Sequence, residues 1–286
     1  MLKTNSCGHL KRFPCWLRQR VRPDKEIEEL KTLLDSLRIN TVCRSARCPN
    51  IYDCFSRKKC TFLILGNSCT RNCGFCAIEL CNDPQPPDKR ELFDIKEAVS
   101  RLGARNIVIT SVTRDDLSDG GAGHFADCVE ILRDKAFALN IELLVPDFLG
   151  RKDSIEKVIS SGPDVFAHNI ETVPRLYDRV RPGADYKRSL GVLKLAKESA
   201  PHLLTKSGIM VGIGEERKEI YETMNALRDV DCDILTIGQY LKPDSGCLDV
   251  EEFLRPGEFD KFSKWAEEMG FKKFSCSPFT RSSSLE

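Results

Sequence analysis

From residue 60 onward the chain alternates short apolar runs with amphipathic stretches. The runs Thr61–Leu65, Asn106–Ile109, Glu142–Val145, Val165–His168, Thr205–Val211 and Ile234–Ile237 predict strands. Between them, helical patterns lie near residues 94–102, 123–138, 151–160, 187–198 and 216–228. The last sets Ile220, Met224 and Leu227 on one face and Arg217, Lys218 and Glu222 elsewhere. Strands that alternate with helices imply parallel βαβ units. The expected fold class is α/β, a partial (β/α)6 TIM-like barrel with chemistry at the carboxyl ends of its strands. Two flanks fall outside the repeat. The expected organisation is an N-terminal extension over 1–58, the barrel over 59–240 and a C-terminal extension over 241–286, with the extensions closing the barrel mouth. The last contains Pro243, Pro256 and Pro278, a helical pattern near 258–269 and a Ser/Arg-rich end.

Composition narrows the class only a little. The 286 residues are 41% hydrophobic and 30% charged with a net charge of +1, ordinary for a globular protein and no argument for nucleic acid. No apolar stretch approaches a membrane span, and no signal-peptide core is visible. The first 23 residues hold Lys3, Lys11, Arg12, Arg18, Arg20 and Arg22 and no acid. That run reads either as a solvated arm or as a dock for an acidic protein. Fourteen cysteines in so long a chain do not suit a secreted disulfide scaffold, and a reducing cytoplasm is expected.

Six of those cysteines form two triads: Cys43, Cys48 and Cys54 (C-x4-C-x5-C), then Cys69, Cys73 and Cys76 (C-x3-C-x2-C). Soft thiolates gathered by a short loop suit an iron–sulfur cluster. Three cysteines leave one iron of four open to a substrate, a cofactor or an unusual ligand. A structural zinc site is the alternative, although zinc usually takes four protein ligands. The second triad follows the first predicted strand, so it belongs at the barrel mouth. Glu171 and the preceding His168 and Asn169 also end a predicted strand, where ligands bind or where local hydrogen bonds are satisfied. Gly208, Met210, Gly212 and Glu215 follow a late strand, as a ligand-contacting segment or as turn formers.

The second triad resembles the radical S-adenosylmethionine superfamily, whose members cleave that cofactor reductively. The resemblance implies a cluster on Cys69, Cys73 and Cys76, catalytic in making the radical, with Phe75 near the adenine. It also implies cofactor contacts by Asn169, Glu171, Gly208, Met210, Gly212 and Glu215. Adding the first triad, the chain resembles the lipoyl synthase family within that superfamily. Matching runs extend from Trp16 to Ser283 and include Thr110–Leu117, Asp119–Phe125, Val145–Phe148, Gly162–Phe166, Arg179–Tyr186 and Thr236–Leu241. This implies two 4Fe-4S clusters and S-adenosyl-L-methionine as cofactors. The second cluster, on Cys43, Cys48 and Cys54, would be consumed as a sulfur source, with Ser283 of the run 281–284 as its fourth ligand.

The implied reaction inserts sulfur at C6 and C8 of an octanoyl chain on a lysine of a carrier domain. Implied partners are octanoylated lipoyl carrier domains (a 2-oxoacid dehydrogenase E2 or glycine cleavage H protein) and an electron donor such as flavodoxin or ferredoxin. The sequence departs from the family pattern in several places: Ser284 replaces a tyrosine, Ser277 stands where glycine is common, and Ala167 stands where asparagine is usual. Two other readings remain open: a different sulfur-inserting radical enzyme, or an iron–sulfur electron carrier. The first triad and the tail serine speak against the former, the long barrel and the Gly208–Glu215 segment against the latter.

Overall fold

The computed structural model describes residues 13–19, 24–133 and 138–283. A seven-stranded, wholly parallel sheet organises them, in the order β1 (Thr61–Ile64), β4 (Asn106–Ser111), β5 (Asn140–Leu144), β6 (Val165–Ala167), β7 (Leu204–Val211), β8 (Ile234–Gln239) and β9 (Lys273–Ser277). β2 (Ser68–Cys69) and β3 (Glu79–Leu80) form a separate parallel pair. Neighbours in the sheet follow chain order, and β1 and β9 form its two edges. The result is a partial barrel, as the periodicity predicts, with one strand more than expected. β9 comes from the C-terminal flank and pairs with β8 from Ile234↔Lys273 to Gly238↔Ser277.

The helices α4 (Arg90–Leu102), α5 (Ala122–Leu132), α6 (Lys152–Ser160), α8 (Tyr186–Ser199), α9 (Arg217–Asp229) and α10 (Pro256–Glu268) cover the sheet, with short α7 (Tyr177–Val180) after β6. Three of them begin or end for a clear local reason. Asp185 caps α8 by accepting from the Arg188 amide, and a reciprocal Glu216–Glu219 capping box starts α9. Gly103 closes α4 in the left-handed region at φ 59°. α9 buries Ile220, Met224 and Leu227, the face read from its periodicity. The helix expected over 123–138 ends at Leu132, and residues 134–137 lie outside the described residues.

The N-terminal flank adds three helices that the sequence reading does not identify, α1 (Lys25–Ser36), α2 (Val42–Ser45) and α3 (Ile51–Ser56). α1 buries Ile27, Leu30 and Leu34 against the barrel core. An isolated bridge from Thr41 to Phe62 and the Leu63 amide bonded to the Asn40 carbonyl join this flank to β1. Among the described residues, no helix is long and apolar enough to cross a membrane.

Candidate functional site

The carboxyl ends of the strands open into a cavity of about 580 Å³. Its wall includes Cys43, Cys48 and Cys54 from the N-terminal flank, Phe75 and Cys76 from the loop after β1, and Ser282 and Ser283 from the tail. Asn169, Glu171, Gly208 and Met210 line it from the barrel. Cys69 and Cys73 lie in the same loop as Cys76, close enough that Cys69 helps raise the pKa of Cys73 and both help raise that of Cys76. The structure therefore gathers most of the residues singled out in the sequence around one space.

Gly212 and Glu215 do not line that space; they build the turn after β7. The Glu215 carboxylate accepts from the backbone amides of Gly212 and Ile213 at 2.5 and 2.9 Å. Gly212 holds φ +99°, and a Cβ there would collide with the Gln239 side chain and the Glu252 carbonyl. Its glycine is thus required by packing within the protein, whereas the sequence suggested close approach of a ligand.

The Cys69–Cys76 loop is stitched down at several points. The Arg71 and Thr113 amides donate to Cys69 Sγ at 3.4 and 3.3 Å. The Gly74 amide donates to the Val180 carbonyl at 2.9 Å, and the Gly74 carbonyl accepts from Leu248 at 2.7 Å. A Cβ on Gly74 would stand 2.9 Å from the Leu248 side chain, so the segment around Leu248 packs on this glycine. The Cys247 thiol donates to the Cys76 carbonyl at 3.4 Å. Cys81 follows β3 and bonds through its amide to the Cys69 carbonyl at 2.8 Å, away from the cavity wall. Cys60 does line the cavity. Cys128 and Cys232 are buried, as small apolar side chains often are, whereas Cys276 is half-buried.

The tail crosses the mouth to reach the first triad. Asn50 Nδ2 donates to the Phe279 carbonyl at 2.7 Å, and Asn169 Nδ2 donates to Ser282 Oγ at 2.6 Å. Glycines make that path possible: a Cβ on Gly238 would strike the Thr280 carbonyl, and one on Gly208 would stand 3.1 Å from Ser282 Oγ. Burial lowers the pKa of Arg281, while its hydrogen bond to Cys48 opposes that change. Ser284 lies outside the described residues, as do the basic residues of the N-terminal arm other than Arg18.

Burial pushes the Cys43 and Cys76 thiols up to about 12 and the Cys73 thiol up to about 11. Such thiols are protonated at neutral pH, and binding iron must expel their protons. The Arg181 guanidinium works against that rise at Cys73. It also partly offsets the burial that raises the Glu171 carboxyl. Glu171 accepts from Asn169 Nδ2 at 2.9 Å and holds φ 66°, a left-handed conformation uncommon for a non-glycine residue. No three Cys, His, Asp or Glu side chains among the described residues converge as ligands of a single metal ion. Thiolates of a cluster each bind a separate iron, so cluster ligands need not converge on one point as zinc ligands do.

The comparisons with known proteins agree with this architecture. Residues 63–227 match the Radical SAM superfamily. A lipoyl synthase of Caldanaerobacter subterraneus subsp. tengcongensis is 50% identical over 272 residues, covering 95% of each chain. The chain belongs to the lipoyl synthase family. Another lipoyl synthase, from Caldicellulosiruptor saccharolyticus, is 49% identical over 272 residues, again covering 95% of each.

Solved structures support the fold of this lipoyl synthase family member at low identity. Methylornithine synthase aligns with a TM-score of 0.56 at 15% identity, covering 92% of this chain and 88% of that one. Streptococcus suis SuiB bound to S-adenosylmethionine gives 0.58 at 11% identity, over 79% of this chain and 54% of that one. The sequence reading did not give functions to Asn50, Arg71, Asp115, Asp147 or Arg281. All five lie inside runs matched to the family or beside the cysteines, and that proximity was their only signal.

Proposed function

We propose that the chain inserts two sulfur atoms, at C6 and C8, into an octanoyl group carried on a lysine of a lipoyl carrier domain. The observation that best supports this is the shared cavity. Cysteines of both triads and the tail serines face a single space at the strand ends. When bound, S-adenosylmethionine and the two clusters would supply radical cleavage of unactivated C–H bonds and the sulfur that replaces hydrogen.

The chain's own residues would do the holding and shielding. Cys69, Cys73 and Cys76 would ligate the radical-forming cluster, and Cys43, Cys48 and Cys54 the sacrificial one. Asn169 and Glu171 would hold the polar end of S-adenosylmethionine, with Phe75, Gly208 and Met210 beside its adenosine. Gly212 and Glu215 would act from behind by fixing the turn. Asn169 already engages Ser282, which favours Ser283 as the oxygen ligand of the sacrificial cluster. A hard oxygen on iron is displaced more readily than a thiolate, useful where iron must leave. The extensions over 1–58 and 241–286 would close the mouth over the barrel of 59–240 and exclude water. The substrate would be an octanoylated E2 or H-protein domain, the reductant a flavodoxin or ferredoxin, and the setting a reducing cytoplasm.

Anaerobic reconstitution followed by mass spectrometry of an octanoylated carrier domain tests this. The parental chain is expected to add two sulfurs. Ser283→Ala should retain S-adenosylmethionine cleavage yet lose product by roughly tenfold or more, the scale of effect of disturbing a metal site. No sulfur addition by the fully loaded parental chain would refute the function. Parental product from Ser283→Ala would refute that ligand alone.

A further inference from the structure

The matched runs Thr110–Leu117 and Val145–Phe148 have no part in the chemistry above, yet both meet behind the Cys69–Cys76 loop. Arg71 lies between the first two cysteines of that loop and is 8% exposed. Its Nε and Nη2 donate to the two oxygens of Asp115 at 2.6 and 2.9 Å. Nη2 also donates to Asp147 Oδ1 at 2.7 Å, and Asp147 is fully buried. The other Asp147 oxygen accepts from Arg188 Nε at 2.8 Å. Beside Arg71, the Thr70 amide and hydroxyl both donate to the Thr113 carbonyl at 3.0 Å. The Asp115 amide donates in turn to Thr70 Oγ1 at 3.0 Å.

A buried ion pair is a poor source of stability, because desolvation offsets most of its attraction. A satisfied buried network does something else: it permits one geometry and penalises others. The planar guanidinium meets Asp115 as a fork and bridges to Asp147, which a lysine ammonium cannot reproduce.

We propose that Arg71, Asp115 and Asp147 are positioning residues for the radical-cluster loop, with Arg188 securing Asp147. They hold residues 70–73 from behind, which sets the separations among the three thiolates before iron binds. The inference rests on the reading of Cys69, Cys73 and Cys76 as cluster ligands. Groups behind a metal ligand commonly change metal affinity by about 10–100-fold when replaced.

The test uses the full reconstituted chain, with iron retention under an iron chelator and the electron paramagnetic resonance spectrum of reduced protein with and without S-adenosylmethionine. Arg71→Met should release the S-adenosylmethionine-sensitive iron roughly tenfold faster while the remaining iron is retained. Its S-adenosylmethionine-dependent spectrum should change, and Arg71→Lys should fall between Met and the parent. Parental retention and a parental spectrum in Arg71→Met would overturn the proposal. If Arg71→Met does not fold, Asp115→Asn decides: faster selective iron loss supports the proposal, and parental behaviour overturns it. A Cys69→Ala control separates the two ideas. Two intact clusters in Cys69→Ala would remove the ligand reading itself. Loss of one cluster there with parental Arg71→Met and Asp115→Asn removes only the positioning role.

Discussion

His168 lies fully buried just beyond β6, with Nδ1 2.8 Å from the Val145 carbonyl oxygen. Nε2 has no hydrogen-bond partner among the described residues. Burial, and then the charge of Arg181, lowers its pKa to about 4. An unfolded chain protonates this histidine near pH 6.5, so the folded state binds fewer protons between those values. Stability is therefore fully present above about pH 6.5 and is lost as pH falls toward 4, at roughly 1.4 kcal/mol per pH unit within the window. The denaturation midpoint of the reconstituted chain should fall between pH 7.5 and 5.5, and His168→Gln should flatten that fall. An unchanged slope in His168→Gln would assign the dependence to other groups. The cysteine triads stood out in the sequence because ligand spacing within a loop is local. The partners of Arg71 did not, since Asp115 and Asp147 lie 44 and 76 positions away. No periodicity connects residues at such separations.

The six apolar strands were legible because each is buried on both faces and needs a continuous apolar run. β9 escaped notice for the opposite reason. Lys273–Ser277 is exposed at its first residue and half-buried thereafter, and as an edge strand it pairs only with β8. The flanking helices α1 to α3 are short or amphipathic and stand outside the βα repeat that guided the reading. Gly238 shows the same limit within a legible strand. It lies in β8, and its missing side chain makes room for Thr280 as the tail passes. Gly238→Val should displace the tail at a cost of about 1–3 kcal/mol, the usual scale for forced overpacking. Product formation should fall by roughly tenfold or more, as for other disturbances of a metal site, while S-adenosylmethionine cleavage changes little. Equal losses in both activities would place the damage in the barrel instead of the tail.

Across the whole molecule, the two triads rest on separate supports but both reach one cavity, the second through Cys76. The first lies on the N-terminal flank, braced by the Asn50 bond to Phe279 and the contact of Arg281 with Cys48. The second hangs from the ends of β4 and β5 through Thr113, Asp115 and Asp147, with Leu248 packed on Gly74. Separate supports predict separate losses. Replacing Cys43, Cys48 and Cys54 by Ala should leave about half the iron, one four-iron cluster of two, and nearly full S-adenosylmethionine cleavage, but no sulfur product. Replacing Cys69, Cys73 and Cys76 should also leave about half the iron and abolish cleavage. Complete iron loss in either variant would show that the supports depend on each other. On the proposed function the shared cavity adds a stricter condition, because radical and sulfur source would have to meet the same octanoyl chain inside one protein. Mixing the two cysteine variants, each carrying the cluster the other lacks, should therefore give no lipoyl product. Parental product from that mixture would mean that sulfur is delivered between chains, and that the closeness of the two triads is not what the reaction requires.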